Sequence, residues 1–351
     1  MSKSSPRLLA FGLALSLLAA SCATGERPEL VEAPATEFEL TERTVESGAA
    51  PASSSPTSTV APAPATSVAS APATPAPTTV PPTTLPPVPQ RPVAPEDPVE
   101  LASVIVESER AIREPGADPL SLVDIAHRQQ VAYRLLGSAP ELDAAVFDNL
   151  PDDLKPIVEL NIASRREFRG MHSDASLSSN VPAWEIIPPA PADDLLRFYQ
   201  DTEAATGIEW EYLAAINLVE TRMGRIRGLS TANAQGPMQF IPATWADWGE
   251  GDINNPADAI MAAGRYLDFR GGPEDMDAAL WGYNNSDRYV RGVQAYAQVM
   301  RDDPQAFFGY YHWQVYFLTD QGTLWLPEGY LQTESTPVAE YLAEHPESAP
   351  R

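Results

Sequence analysis

Apolar residues recur at helical spacing in two stretches of the chain. In the first, a cap-and-proline start at Asp118-Pro119 and a stop at Gly137 enclose Ile125, Ala132 and Leu136, a pattern that predicts one helix. Ser138-Ala139-Pro140-Glu141 has the form of a capping box and predicts a second start. Leu154, Ile157, Val158 and Phe168 lie near helical spacing and predict a third helix from Asp153 to about Gly170. These elements indicate an accessory helical region over residues 100–190.

A second helical block occupies residues 191–303. Its most informative segment runs from about Glu209 to Arg222, where Leu213, Ile216, Asn217 and Glu220 stand at i, i+3, i+4 and i+7. A carboxylate therefore ends a mostly apolar stripe. Desolvation would raise its pKa, which suits a general acid near neutral pH. The alternative is that Glu220 faces solvent or pairs with Arg222 or Arg225.

The C-terminal region, residues 304–351, has strand character. Residues 313–319 and 323–326 are rich in aromatic and branched side chains and flank Asp320-Gln321-Gly322, which predicts a β-hairpin. Its aromatic residues either form a sugar platform or bury against the helical body, and core packing is the usual fate of large aromatics. The fold class expected is mainly α with a C-terminal β-hairpin.

The first 22 residues are typical of a secretory signal. Lys3 and Arg7 precede an apolar run from Leu8 to Leu18, and small residues follow. Cys22, the single cysteine of the chain, stands where a bacterial lipoprotein signal places its acylated residue. We expect lipidation at Cys22, anchorage to a lipid bilayer and a position on the outer face of the plasma membrane. The alternative is an ordinary signal peptide that contains a cysteine.

Residues 23–99 are predicted to be a disordered tether. Residues 51–100 carry 15 prolines among Ala, Thr, Ser and Val, and no aromatic residue stands between Phe38 and Tyr133. Such a segment cannot bury enough apolar surface to offset its ordering entropy. In extended form it is long enough to carry a domain from the membrane into the cell wall, although a passive spacer would have the same composition.

Charge excludes some functions. With 23 basic against 48 acidic residues the formal charge is −25, which argues against a nucleic-acid partner. The four histidines lack metal-ligand spacing, and neither a Ser-His nor a Cys-His enzyme is supported. The acidic group at Asp247, Glu250, Asp252 and Asn254 does not match an EF-hand loop, so turn and capping duty, with Asn255 capping a helix at Pro256, is preferred to calcium. We expect no metal and no cofactor.

Three motifs in order make the second block specific. Residues 219–225, Val-Glu-Thr-Arg-Met-Gly-Arg, resemble the catalytic segment of membrane-bound lytic transglycosylase B. Gly236-Pro237-Met238-Gln239 is similar to the Gly-Leu-Met-Gln segment of the lytic transglycosylase and goose-type lysozyme superfamily, and Tyr283-Asn284 to its Ala-Tyr-Asn segment. Thr221, Pro237 and Gly282 depart from the usual residues, and none of these changes removes a group that the chemistry needs. The resemblance covers roughly residues 192–300 and implies a lysozyme-like catalytic domain.

The resemblance implies a peptidoglycan-cleaving activity. Glu220 would protonate the oxygen between N-acetylmuramic acid and N-acetylglucosamine, and then take a proton from the muramoyl 6-hydroxyl to leave a 1,6-anhydro end. A lone carboxyl suffices where the substrate's own N-acetyl group assists. Tyr283 would support that N-acetyl group, Gln239 would hydrogen-bond the glycan, and Met238 would form an apolar shelf. Further substrate-binding candidates are Ser230, Asn284 and Phe240.

Alternatives stay open at this point. Met238 and Phe240 could equally be core residues. A lysozyme-like muramidase on the same fold would let water complete the reaction in place of the 6-hydroxyl. A catalytically inert, peptidoglycan-binding lipoprotein would use the groove and hairpin only to hold glycan, although the joint presence of Glu220, Gln239 and Tyr283 argues against it.

Overall fold

The computed structural model describes residues 91–114, 116–117 and 119–350, without the side chains of residues 119 and 120. The predicted signal, the acylation site at Cys22 and the predicted tether as far as residue 90 lie outside the described residues. Within them the expectation of a mainly helical fold is confirmed. The helices are α1 (Pro98–Ile112), α2 (Pro119–Ser138), α3 (Asp143–Asp148), α4 (Lys155–Gly170), α5 (Ala192–Thr206), α6 (Trp210–Thr221), α7 (Pro242–Trp248), α8 (Pro256–Phe269), α9 (Met276–Tyr283), α10 (Asp287–Asp302), α11 (Ala306–Tyr311) and α12 (Val338–Glu344).

Short polar caps start several of these helices. The Asp97 side chain accepts hydrogen bonds from the amides of Val99 and Glu100, and Pro98 follows it at the first helical position. The folded body therefore begins before residue 99, which is the residue at which the predicted tether ends. Asn255 caps α8 in the same way, as its sequence predicts, and Ser286 caps α10.

In the described part of the chain, six short strands form three antiparallel pairs. The strands are β1 (Asn180–Val181), β2 (Glu185–Ile186), β3 (Ile226–Arg227), β4 (Val315–Thr319), β5 (Gly322–Leu326) and β6 (Thr336–Pro337). β4 and β5 form the predicted C-terminal hairpin, with Thr319 opposite Gly322 next to the turn. Its aromatic residues, Trp313, Tyr316, Phe317 and Trp325, are buried, so they are core material rather than an exposed platform.

One hydrophobic core joins the accessory helices to the second block. It runs from Leu101 in α1 through α6 to Trp313, and α10 packs against both α4 and α6. Residues 100–190 therefore do not form a separate core. This continuity brings side chains of α2 and α4 close to the end of α6.

Two local expectations need correction. Ser138 does not cap a following helix, because its hydroxyl donates back to the carbonyls of Arg134 and Leu135; the next residues form only a 3-10 turn without a side-chain cap. α6 is buried on nearly all sides rather than along one stripe, since helices pack around it.

Among the described residues, no helix is long and apolar enough to cross a membrane. In the same part of the chain, no group of three or more His, Cys, Asp or Glu side chains is placed to hold a metal ion.

Candidate active site

The end of α6 presents Glu220. The chain leaves the helix through three residues with positive φ, Arg222 (54°), Met223 (61°) and Gly224 (86°). The amides of Arg222 and Met223 bond back to the carbonyls of Leu218 and Asn217, which closes the helix. Glu220 thus lies in the last turn, where the helix dipole disfavours a negative charge.

The surroundings of Glu220 favour its neutral form. Only 6% of the residue is exposed, and burial raises the pKa of its carboxyl to about 8, against the smaller opposing effects of the Tyr289 hydroxyl and the Arg222 charge. Arg225 pairs instead with Glu328, and no ion pair joins Glu220 to Arg222 in the described part of the chain. Of the readings left open by the sequence, the structure therefore favours an inward, protonated carboxyl that can donate a proton at neutral pH.

Tyr289 is the contact that sequence reasoning missed. Its hydroxyl donates to Oε1 of Glu220 at 2.9 Å, and its ring lies parallel to that of Tyr283, with centroids 6.4 Å apart. The sequence does contain a signal for the burial of Tyr289. Its helical spacing from Val293, Tyr296 and Met300 places it on the stripe of α10 that the structure buries. A buried tyrosine hydroxyl needs a polar partner, and the buried carboxyl of Glu220 was the available one.

The Gln235–Phe240 loop is held against α6 and α9. Gln235 and Phe240 exchange two backbone hydrogen bonds of 2.9 Å. Gly236 has φ 72°, and a Cβ there would stand 2.0 Å from the carbonyl oxygen of Ile253, so only glycine fits.

Three side chains anchor the carbonyl groups of this loop. Thr221 Oγ1 and Asn217 Nδ2 donate to the Pro237 carbonyl at 2.6 and 2.8 Å, and the Tyr283 hydroxyl donates to the Met238 carbonyl at 2.7 Å. Two residues of α6, Asn217 and Thr221, thus position the motif that contains Gln239. The loop and Glu220 are fixed by the same helix.

The structure brings most of the predicted site residues together but buries several. Met238 and Phe240 are core residues, which was the alternative left open by the sequence. Met238 is 0% exposed, and its predicted role as a shelf beside the glycan stays a prediction. Tyr283 is equally enclosed. Gln239 turns back on its own loop, and its Nε2 donates to the Gly236 carbonyl at 3.0 Å.

Ser230 and Asn284 occupy turns at the edges of this arrangement. Ser230 Oγ accepts from the amides of Ala232 and Ala234 at 3.1 and 2.9 Å, so it holds the turn that leads into the loop. Asn284 ends α9, its amide bonded to the Leu280 carbonyl. Both are buried, and their predicted contacts with substrate stay predictions.

Two cavities that share His172 and Leu318 lie near this site. The larger, about 590 Å³, is lined by Trp184, by Leu229 and Thr231 on either side of Ser230, and by several serine hydroxyls. The smaller, about 200 Å³, is lined by Val219 and Arg222, the neighbours of Glu220. An apolar and hydroxyl-rich cavity of the larger size fits a small carbohydrate unit.

Comparison with known proteins finds similarity over the segment that contains this site. Residues 198–304 match the Transglycosylase SLT domain. The chain is also similar to membrane-bound lytic murein transglycosylase F of Thiobacillus denitrificans, with 26% identity over 127 residues, which cover 34% of this chain and 27% of that protein. No solved structure matches significantly. Residues 198–304 thus match a transglycosylase SLT domain, and this match supports a relationship of that segment to the lytic transglycosylase superfamily. It spans about a quarter of that relative, and the likeness to transglycosylase B stays a prediction.

Proposed function

We propose that this protein is a peptidoglycan lytic transglycosylase that cleaves the β-1,4 bond between N-acetylmuramic acid and N-acetylglucosamine, with Glu220 as general acid and base. The observation that carries the proposal is the buried Glu220 carboxyl, with a pKa raised to about 8 by burial and a hydrogen bond from Tyr289. The groups that shift this pKa are Tyr289 and Arg222, and no second carboxyl among the described residues contributes. A single carboxyl fits substrate-assisted cleavage.

The reaction would proceed in two steps. Protonated Glu220 donates its proton to the glycosidic oxygen while the N-acetyl oxygen of the muramoyl unit attacks the anomeric carbon, and the N-acetylglucosamine portion leaves as an alcohol. The Glu220 carboxylate then accepts the proton of the muramoyl 6-hydroxyl, whose oxygen attacks the same carbon and displaces the N-acetyl group. The product is a 1,6-anhydro end, and Glu220 is protonated again. Tyr289 would stabilise the carboxylate between the steps.

Mass analysis of muropeptides released from purified sacculi tests the outcome. Anhydro products are lighter by one water than the reducing products of a hydrolase, so the same sample distinguishes a transglycosylase from a lysozyme-like muramidase. If only reducing ends are released, the protein is a lysozyme-like muramidase and not a lytic transglycosylase. Absence of any release would favour a binding lipoprotein.

The contact between Tyr289 and Glu220 predicts a shift in pH dependence. The hydroxyl bond stabilises the ionised carboxylate and lowers the Glu220 pKa, so Tyr289→Phe should raise that pKa above about 8. Activity needs the protonated acid and falls as pH rises through its pKa. The alkaline limb of the pH–activity profile should therefore move upward, by on the order of one pH unit.

Tyr310→Phe is the matched control for this shift. It also removes a buried hydroxyl hydrogen bond, to Asn161, but Tyr310 does not contact Glu220. The alkaline limb of its pH–activity profile should therefore lie at the same pH as that of the parent protein. An unmoved or downward-shifted limb in Tyr289→Phe would contradict the role given to this hydroxyl.

We further propose that the protein is exported and lipid-anchored at Cys22, on the outer face of the plasma membrane, with a tether that reaches into the wall. This proposal rests on the sequence of residues 1–99 alone. Cys22→Ser should move the protein almost entirely from the membrane to the soluble fraction, because acyl chains supply the binding energy. Fractionation with a high-salt wash measures it. Retention of the serine variant would mean that another feature holds the protein.

A further inference from the structure

The smaller cavity beside Glu220 is lined by arginines from three separate elements. Arg134 comes from α2, Arg165 from α4, and Arg222 directly follows α6. A fourth lining arginine, Arg169 of α4, pairs with Asp174 at 2.9 Å. No aspartate or glutamate lines this cavity. In a chain with a formal charge of −25, such a concentration of positive charge needs a reason.

These three guanidinium groups lack counter-charges. Other partly buried arginines of the body pair with carboxylates, for example Arg166 with Asp143 at 2.8 Å. For Arg134, Arg165 and Arg222, the described residues provide no ion pair. The Nε atoms of Arg165 and Arg222 are buried without a hydrogen-bond partner. An unpaired buried cation is costly.

Their pKa values reflect that cost. Burial, with a smaller contribution from the charge of Arg165, lowers the pKa of Arg222 to about 10. Burial, followed by repulsion from Arg165, places the pKa of Arg134 well below its usual value. His172, on the same wall, is neutral at pH 7 because burial lowers its pKa to about 4. The charged forms of Arg134 and Arg222 would be stabilised by a bound anion.

The cavity is coupled to the proposed acid through ring contacts. Phe168, which lines it, makes an edge-to-face contact with Tyr289, with centroids 6.2 Å apart, and stacks with Tyr296, which also lines the cavity. Tyr289 in turn donates to Glu220. A volume of about 200 Å³ admits a carboxylate with a short stem but no disaccharide, and the adjoining cavity of about 590 Å³ leaves room for a sugar.

We propose that this arginine-lined cavity binds a carboxylate of the peptide carried by the muramoyl unit, so that the accessory helices select peptide-substituted strands. The inference rests on the proposed function, since it assigns a second subsite for the same substrate. It also gives residues 100–190 a role, because α2 and α4 supply two of the three lining arginines that have no ion pair among the described residues.

Binding can be measured without turnover in the full-length Glu220→Gln protein. The probes are an N-acetylmuramoyl peptide with free carboxylates, the same peptide with its carboxyls amidated, and inorganic phosphate. Calorimetry should give the carboxylate form an affinity at least about tenfold higher than the amidated form. Adding Arg165→Gln or Arg134→Gln should abolish this preference. Adding Arg110→Gln, an exposed arginine of the same layer that pairs with Asp153, should keep it.

Equal binding of the two peptides, or a preference that survives both cavity variants, would overturn the inference. Phosphate that binds more tightly than the carboxylate peptide would overturn the substrate assignment and identify a phosphate site instead. Turnover is measured separately. An active Glu220→Gln protein would refute the proposed role of Glu220 as the acid, whichever peptide binds more tightly. An inactive Glu220→Gln protein that binds both peptides equally would refute only the proposed anion site.

Thermal unfolding separates ligand binding from a structural role. Because Arg165 lies among like charges, Arg165→Gln should leave the melting temperature of the unliganded protein unchanged or raise it. A structural arginine would instead lower the melting temperature and weaken both peptides equally. That result would also count against the inference.

Discussion

Replacing Glu220 by glutamine is expected to lower the release of muropeptides from purified sacculi by about three orders of magnitude, with fold and glycan binding retained. The amide is close in size to the acid and can still accept the Tyr289 hydrogen bond. It can neither protonate the glycosidic oxygen nor accept the proton of the 6-hydroxyl. Both steps of the proposed reaction therefore fail together.

Glu211→Gln is the matched control for this loss. Glu211 belongs to the same helix and is also buried, with a pKa raised by burial, but it lies in the first turn, away from the loop that carries Gln239. Its variant should release muropeptides at nearly the parental rate. Activity of Glu220→Gln within a few-fold of the parent would remove Glu220 from the mechanism.

Replacing Thr221 by valine is expected to destabilise the fold and disrupt the site together. The 0%-exposed side chain donates to the Pro237 carbonyl at 2.6 Å, and its oxygen accepts from the Gly224 amide at 3.0 Å. Valine has nearly the same shape, so it loses both bonds without leaving a cavity. We expect a cost of about 2 kcal/mol and a melting temperature lower by about 5 °C.

Thr221→Ser separates the hydroxyl from the methyl group. Serine keeps the hydroxyl that bonds Pro237 and Gly224 and loses only a buried methyl, so its turnover should stay within about twofold of the parent while its stability falls by about 1 kcal/mol. Valine, in contrast, should lose at least about tenfold in turnover, because only Asn217 of α6 then still holds the Pro237 carbonyl of the loop. Equal turnover of the two variants would show that the hydroxyl does not position the site.

The position of Glu220 illustrates how far a sequence can be interpreted. The apolar stripe Leu213–Ile216 predicts the helix and the inward side, because side chains three and four residues apart share a face. The same pattern left a solvent-facing or ion-paired Glu220 open. The burial of that carboxyl is due to α10 and the loop, which are distant in sequence, and no local periodicity contains that information.

For the predicted substrate-binding residues, the sequence motifs identified the positions but not their roles. Motif similarity singled out Met238 and Tyr283 as contacts for a glycan, yet both are enclosed, and Tyr283 holds the Met238 carbonyl. A motif identifies residues that a site needs without stating whether each touches the substrate or supports another residue. Only the packing of α9 against the loop distinguishes the two roles.

By itself, the sequence determined the mainly helical class, the C-terminal hairpin, the motifs of the SLT domain and the existence of α6. These properties depend on local spacing, capping and turn residues, which act over a few positions. The tertiary structure alone decided the Tyr289–Glu220 bond, the core that the accessory helices share with the second block, and the meeting of Arg134, Arg165 and Arg222. Each of these joins residues tens of positions apart, and long-range packing rather than local propensity sets their distances.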